Sequence, residues 1–273
     1  MTVVLRLKKE LRVPVDAKCV CPDAFAGKSL NQLAQLQLWE GNQKYALKDL
    51  FEVEGDCGKT PSEVTIQLIG NLSKIQRIGV GMTAGTLKIQ GDVGMHLGEE
   101  MKGGTITAKG NVGSWVGAAM KGGTITAEKN AGDYVGGAYW GSTKGMHGGT
   151  ILIGGNAGSE VGLYMNKGLI KVQGDVDQFA GIHMKGGTVI VHGNAKERAG
   201  AYMQGGKIIL CNRVEAVLPT FTIDSVKNKA KANGEEIKKP FYLFVGDLVE
   251  RGTGKLYVSK DKNKYLKGYE ALL

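Results

Sequence analysis

A 19-residue repeat occupies the middle of this chain, and few architectures accommodate it. Its most regular form reads Gly103-Gly104-Thr105-Ile106-Thr107-Ala108-Lys109-Gly110-Asn111-Val112-Gly113, continuing to Val116-Gly117-Ala118-Ala119-Met120. The marker glycine recurs at Gly85, Gly104, Gly123, Gly149, Gly168, Gly187 and Gly206, with spacings of 19, 19, 26, 19, 19 and 19. One turn therefore carries a 7-residue insertion, within Ala138–Gly145. A unit this short cannot bury its own apolar face and must stack on its neighbours to make a core.

Apolar residues alternate within each unit. Ile106 and Ala108 face one way, and Thr105, Thr107 and Lys109 the other. Period two with β-branched residues predicts a strand, bounded by Gly-Gly and Gly-Asn turns. Stacking in register produces one inner ladder of Leu87, Ile106, Ile125, Ile151, Ile170, Val189 and Ile208, and another of Ile89, Ala108, Ala127, Ile153, Val172, Val191 and Leu210. A second short strand is expected after each turn, with inner positions Leu97, Val116, Val135, Val161, Ala180 and Ala199.

Asn71, Asp92, Asn111, Asn130, Asn156, Asp175 and Asn194 share one corner, where a residue tolerant of left-handed backbone is expected. Seven of the nine methionines (Met82, Met101, Met120, Met146, Met165, Met184 and Met203) share another position. Soft-metal binding is conceivable for such a stripe, but packing under an irregular corner explains it better.

Hexapeptide β-helices fail because 19 is not a multiple of six, and calcium nonapeptides would need aspartate in every turn. Collagen would need glycine at every third residue. The expectation is an all-β chain: a right-handed parallel β-helix of about seven 19-residue turns with small flanking capping segments. Residues 1–62 form the N-terminal capping segment, 63–213 the glycine-repeat β-helix and 214–273 a C-terminal extension.

In the first segment Val3, Leu5 and Leu7 alternate as a strand, and Ser29 with Gln32 has capping-box spacing. Gly41-Asn42 suits a tight hairpin between Leu38-Trp39 and Tyr45–Leu47. Residues 63–83 resemble an eroded first turn, while the repeat is gone from about 214. Phe241–Val249 and Lys255–Val258 read as strands. In the insertion, Tyr139 and Trp140 either anchor a partner protein or fold back on the wall; both readings stay open.

Catalytic signals are absent from the pattern. The four histidines (His96, His147, His183 and His192) occupy unrelated repeat positions and have no metal spacing. Cys19, Cys21, Cys57 and Cys211 match neither zinc nor iron–sulfur spacing. The outward ladder Thr86, Thr105, Thr124, Thr150, Leu169, Thr188 and Lys207 carries no acid. Asp92 and Asp175 stand four turns apart, roughly 19 Å by strand spacing, too far for paired carboxylates.

The net charge of +9 suggests nucleic acid, but 29 of the 35 basic residues are lysine and no stacking platform is interleaved with them. An acidic protein partner fits the charge as well. No segment is long and apolar enough to span a membrane, and no signal-peptide region opens the chain, so a cytosolic location is expected.

The pattern Gly-x-x-Met-x-x-Gly-x-(Ile/Leu)-x-(Ile/Val/Ala)-x-Gly occurs at Gly79–Gly91, Gly98–Gly110 and Gly162–Gly174, and at Gly181–Gly193 with Val189 at the Ile/Leu position. It resembles the repeats of the C subunit of formylmethanofuran dehydrogenase, and more distantly the C-terminal domain of glutamate synthase. Pro22–Ser29, Trp39-x-Gly41-Asn42 and Val53-Glu54-Gly55 extend the first likeness over roughly residues 1–215. Lys129 and Lys167 replace pattern glycines and change turn shape only.

The resemblance implies a structural subunit of a complex that reduces CO2 and condenses formate with methanofuran in methanogenesis. It implies a tungsten or molybdenum pterin, iron–sulfur clusters and zinc, all in partner subunits. Those partners would be redox pterin subunits, an amidohydrolase-like subunit and polyferredoxins. No catalytic, cofactor-binding or metal-ligating residue is expected in this chain. A bacterial formyltransferase/hydrolase complex has a similar C subunit and stays open, as does a glutamate synthase-type domain.

Overall fold

In-register stacking of the repeat dominates the computed structural model, which describes residues 1–273. The strands Thr65–Ile69, Thr86–Gln90, Thr105–Ala108, Thr124–Ala127, His147–Ile153, Lys167–Val172, Thr188–Val191 and Lys207–Leu210 pair side by side, all parallel. Leu87 stands against Ile106, Ile125 against Ile151, and Ile170 against Val189, the order that the repeat phase demands. Both inner ladders and all seven ladder methionines are fully buried.

The flanks extend this sheet. Thr2–Leu7 pairs parallel with Thr65–Ile69, so Val3 and Leu5 continue the two inner ladders. Phe51–Gly55 then closes that end antiparallel, exposing Glu52 and Glu54 at the sheet edge. At the other end Gly254–Ser259 pairs parallel with Lys207–Leu210 and places Leu256 and Val258 in the same ladders. The result is one 13-stranded, mostly parallel sheet, with a single apolar cluster running from Val3 to Leu266.

Three expectations are corrected here. The second strand of each unit is reduced to single parallel bridges, such as Val93 with Val112 and Val176 with Ala195. Leu97, Val116 and their equivalents are buried, but they lie in turns because the residues before them have left-handed backbone. The Asn/Asp corner is not left-handed: none of its members has positive φ.

The C-terminal reading also shifts. Thr222–Ala232 and Glu235–Gly246 form a long antiparallel hairpin, and Leu248–Glu250 is a 3-10 turn rather than strand. Asn233-Gly234 makes its turn, with φ of 46° and 83°, the dipeptide that suits a type I′ hairpin. The hairpin packs on the outer face of the last rungs, burying Ile190 and Ile209 against Ala230, Ala232 and Phe241. Lys227, Lys229 and Lys231 and two register breaks protect its free edge.

Other N-terminal expectations hold. Ser29 and Gln32 make the capping box of the helix Leu30–Ala34, and Gln37–Glu40 pairs with Gln43–Ala46 around Gly41-Asn42. No helix is long and apolar enough to cross a membrane.

Candidate interaction surface

The seven αL residues Arg77, His96, Trp115, Tyr134, Glu160, Phe179 and Arg198 form one column up the stack, with φ between 58° and 65°. Glu100, Ala119, Tyr164, His183 and Tyr202 form a second, with φ between 52° and 56°. Side chains pay for this backbone with strain of about 1–2 kcal/mol each. Hydrogen bonding between rungs offsets it. His96 N–H donates to Ser114 O at 2.9 Å, Trp115 N–H to Asp133 O at 2.9 Å and Tyr134 N–H to Ser159 O at 2.9 Å.

Register then stacks the rings. His96 and Trp115 are parallel with centroids 5.2 Å apart, and Trp115 and Tyr134 lie at 4.6 Å. Higher up, Tyr164, His183 and Tyr202 stack at 4.6 and 5.0 Å. The guanidinium of Arg198 sits 5.2 Å from the Phe179 ring centroid. Each such pair contributes about 0.5–1.5 kcal/mol beyond area burial.

The insertion folds back onto this wall. Tyr139 tilts against His96 and Trp115 at 5.5 and 5.7 Å, and Trp140 meets Trp115 edge-on at 5.9 Å. Both nevertheless remain exposed, Tyr139 by 53% and Trp140 by 69%. Trp115 Nε1 is buried beneath them and has no hydrogen-bond acceptor.

Charge on the wall is uneven. Arg77 bridges Asp16 at 3.7 Å and Glu99 at 3.9 Å, and His96 Nδ1 stands 3.4 Å from Glu99 Oε2. Those last two atoms lack hydrogen-bond geometry. The nearby His96 ring is the main cause holding the Glu99 carboxyl below its usual range, against the opposing effect of burial. Glu160 moves the other way, raised by burial and by the neighbouring Asp133. Neither Asp133 nor Glu160 has a cation within 4.0 Å.

The residues weighed for chemistry fall elsewhere. Burial pushes the Cys19 and Cys21 thiols up to about 12, which keeps them protonated, and Cys57 and Cys211 are also raised by burial. His147 Nδ1 lies 2.6 Å from Gly145 O, and His192 is lowered by burial. His96 and His183, which seemed unrelated, belong to the two αL columns. The signal was present as the residue before each (Ile/Leu/Val/Ala)-Gly for the column of His96, and as the residue before a ladder methionine for that of His183.

Asp92 and Asp175 are structural. Asn111 donates its N–H and Nδ2 to Asp92 Oδ1 at 2.7 and 3.1 Å, and Asp175 N–H donates to Asn156 Oδ1 at 2.9 Å. From Asp92 to Asn194 the corner is thus a ladder in which each side-chain oxygen accepts the next rung's N–H, whereas Asn71 Oδ1 accepts the N–H of Ser73 in its own turn. Asp92→Ala is expected to lose about 1–2 kcal/mol by orphaning the Asn111 N–H, while Asp92→Asn stays within about 0.5 kcal/mol. Urea denaturation of both variants checks this; equal losses would rule out the ladder as the cause.

No protein-family model matches the chain. It is 40% identical over 95 residues to the C subunit of the molybdenum-containing formylmethanofuran dehydrogenase 1 of Methanosarcina barkeri, covering 35% of this chain and 32% of that protein. It is 39% identical over 96 residues to the C subunit of the tungsten-containing formylmethanofuran dehydrogenase 2 of Methanothermobacter wolfeii, covering 35% and 36%. The match spans about a third of the length of these curated relatives. A chain in the formyltransferase/hydrolase complex FhcABCD of Methylorubrum extorquens, solved with methylofuran, superposes with a TM-score of 0.82 at 30% identity, covering 94% of this chain and 99% of that one.

Proposed function

This chain belongs to the family of formylmethanofuran dehydrogenase C subunits, and from that premise we propose that it is a structural subunit of a cytosolic complex of this kind. Catalysis then resides in partner chains: redox pterin subunits, an amidohydrolase-like subunit and polyferredoxins. The observation that carries the reading is the near-complete match, 94% of this chain, to a chain of a solved multi-subunit complex. We read the stacked rungs as a right-handed parallel β-helix of 19-residue turns. The in-register parallel pairs and the Asn/Asp ladder support it.

The contribution of this chain is rigidity. Backbone bonds and side-chain ladders join every rung to the next, so the outer wall presents fixed columns to whatever docks there. Its donor set does not suit a pterin metal, an iron–sulfur cluster or zinc. No three His, Cys, Asp or Glu side chains are gathered for a metal, and burial keeps the Cys19 and Cys21 thiols protonated. On this proposal tungsten or molybdenum, iron–sulfur clusters and zinc belong to the partners.

A second reading places the chain in a formyltransferase/hydrolase complex without a redox metal. The same match favours it, because the dehydrogenase relatives align over only about 35% of this chain. Native affinity purification from source cells, with mass spectrometry of co-eluting chains and metals, separates the two. A pterin subunit with tungsten or molybdenum is the expected result for the dehydrogenase. An amidohydrolase-like chain without redox metal selects the second reading. A chain eluting alone would end both.

A further inference from the structure

We propose that the aromatic wall around Trp115, Tyr139 and Trp140 docks a basic, arginine-bearing segment of a partner protein; this rests on the subunit reading above. Two observations converge there. Tyr139 and Trp140 are held over Trp115 yet stay exposed, so their ring faces are positioned without being covered. Asp133 and Glu160, on the rungs bracketing the insertion, are half-buried and have no cationic neighbour among the ion pairs of the chain.

Charge identifies the occupant. The segments 95–100, 114–119, 133–145 and 159–164 carry four acids (Glu99, Glu100, Asp133 and Glu160) against one lysine (Lys144), and with the paired cations Arg77 and Lys121 the local net is −1, histidine taken as neutral. The whole chain is +9, so this wall opposes the sign of the rest of the molecule. Arg77 and Lys121 already serve Glu99 and Glu100, which leaves Asp133, whose Oδ1 accepts the Ser159 N–H at 2.8 Å, and Glu160 without a cation. A guanidinium meets both demands at once, since it lies flat on Trp and Tyr faces and forks onto carboxylates. An acidic segment, which the overall charge would suggest, is repelled here. The lysines Lys102 and Lys185 that would attract one follow the methionine column instead.

The test uses the full chain in its complex. A benzophenone-bearing phenylalanine is introduced in place of Trp140, the complex is irradiated, and the linked peptide is sequenced. In parallel, Glu160→Lys and the double variant Tyr139→Ala/Trp140→Ala are purified by affinity tag, with circular dichroism confirming an unchanged fold. The expected result is a cross-link within a few residues of an arginine or lysine of a partner chain. Retention of that chain by Glu160→Lys should fall on the order of tenfold. A cross-link to an acidic or uncharged segment or to a second copy of this chain overturns the proposal, as does full retention by Glu160→Lys, while the subunit reading stands. A wild-type chain that purifies alone overturns both.

Discussion

Ile151→Asp is expected to abolish cooperative folding. Ile151 is fully buried in the middle of the inner ladder, between Ile125 and Ile170, and a Cβ on Gly117 would stand 2.5 Å from its Cδ1. The substitution removes the packing of a large side chain and places an unpaired carboxyl where no donor is free to meet it. The sum is about 5 kcal/mol or more, comparable to the whole stability of an ordinary domain. Position matters as well as size. In a stack each rung is stabilised through its neighbours, so a fault at a central rung uncouples the two halves. Circular dichroism should show a broad, early melt or no melt at all. A variant that melts near the wild-type temperature would rule out the stacked-rung interior.

The second large effect is at the marker glycine. Gly123 has φ +85°, and a Cβ there would stand 2.7 Å from Met101 Cε and 2.8 Å from the Gly104 carbonyl oxygen. Gly104 repeats the arrangement one rung down, against Met82 Cε at 2.6 Å. The methionine column therefore fills the space that each next marker glycine leaves open. Gly123→Val adds a left-handed β-branched residue to a clash with backbone, for a loss of about 3 kcal/mol or more. Gly141 supplies the control. Its φ is +80°, but nothing lies within 4 Å of its Cβ position, so Gly141→Ala should cost about 1 kcal/mol. Thermal denaturation of both variants distinguishes the causes. Similar losses would mean that backbone strain alone, and not the methionine contact, makes the marker glycine necessary.

Fold legibility followed the repeat. Wherever the 19-residue phase held, position, inner face and register of each unit's first strand could be read residue by residue, because a small error in phase would turn Ile106 or Ile125 outward, while the second strand shrank to single bridges. Where it lapsed, the reading weakened. Thr222–Ala232 was not anticipated as strand: its lysines and small residues lack a strong apolar alternation, although Asn233-Gly234 marked the hairpin turn. Leu256 and Val258 return to the inner ladders after a gap of more than forty residues from Leu210, which no periodicity reveals.

The wall was harder. Asparagine's tolerance of left-handed backbone placed that conformation at Asn111 and Asn130, whereas the chain puts it at Trp115 and Tyr134. Local preference lost to cooperation between rungs. The Asn side chains are better used as acceptors for the next N–H, and the aromatic residues recover their strain by stacking.

Sequence by itself determined the repeat and the buried ladders, since these depend on spacing and residue type along one dimension. Tertiary structure decided how the flanks join the sheet, which corner carries left-handed backbone, and that His96, Trp115, Tyr134, Tyr139 and Trp140 share one wall. Those contacts join residues one or more rungs apart, and only the folded stack sets their distances.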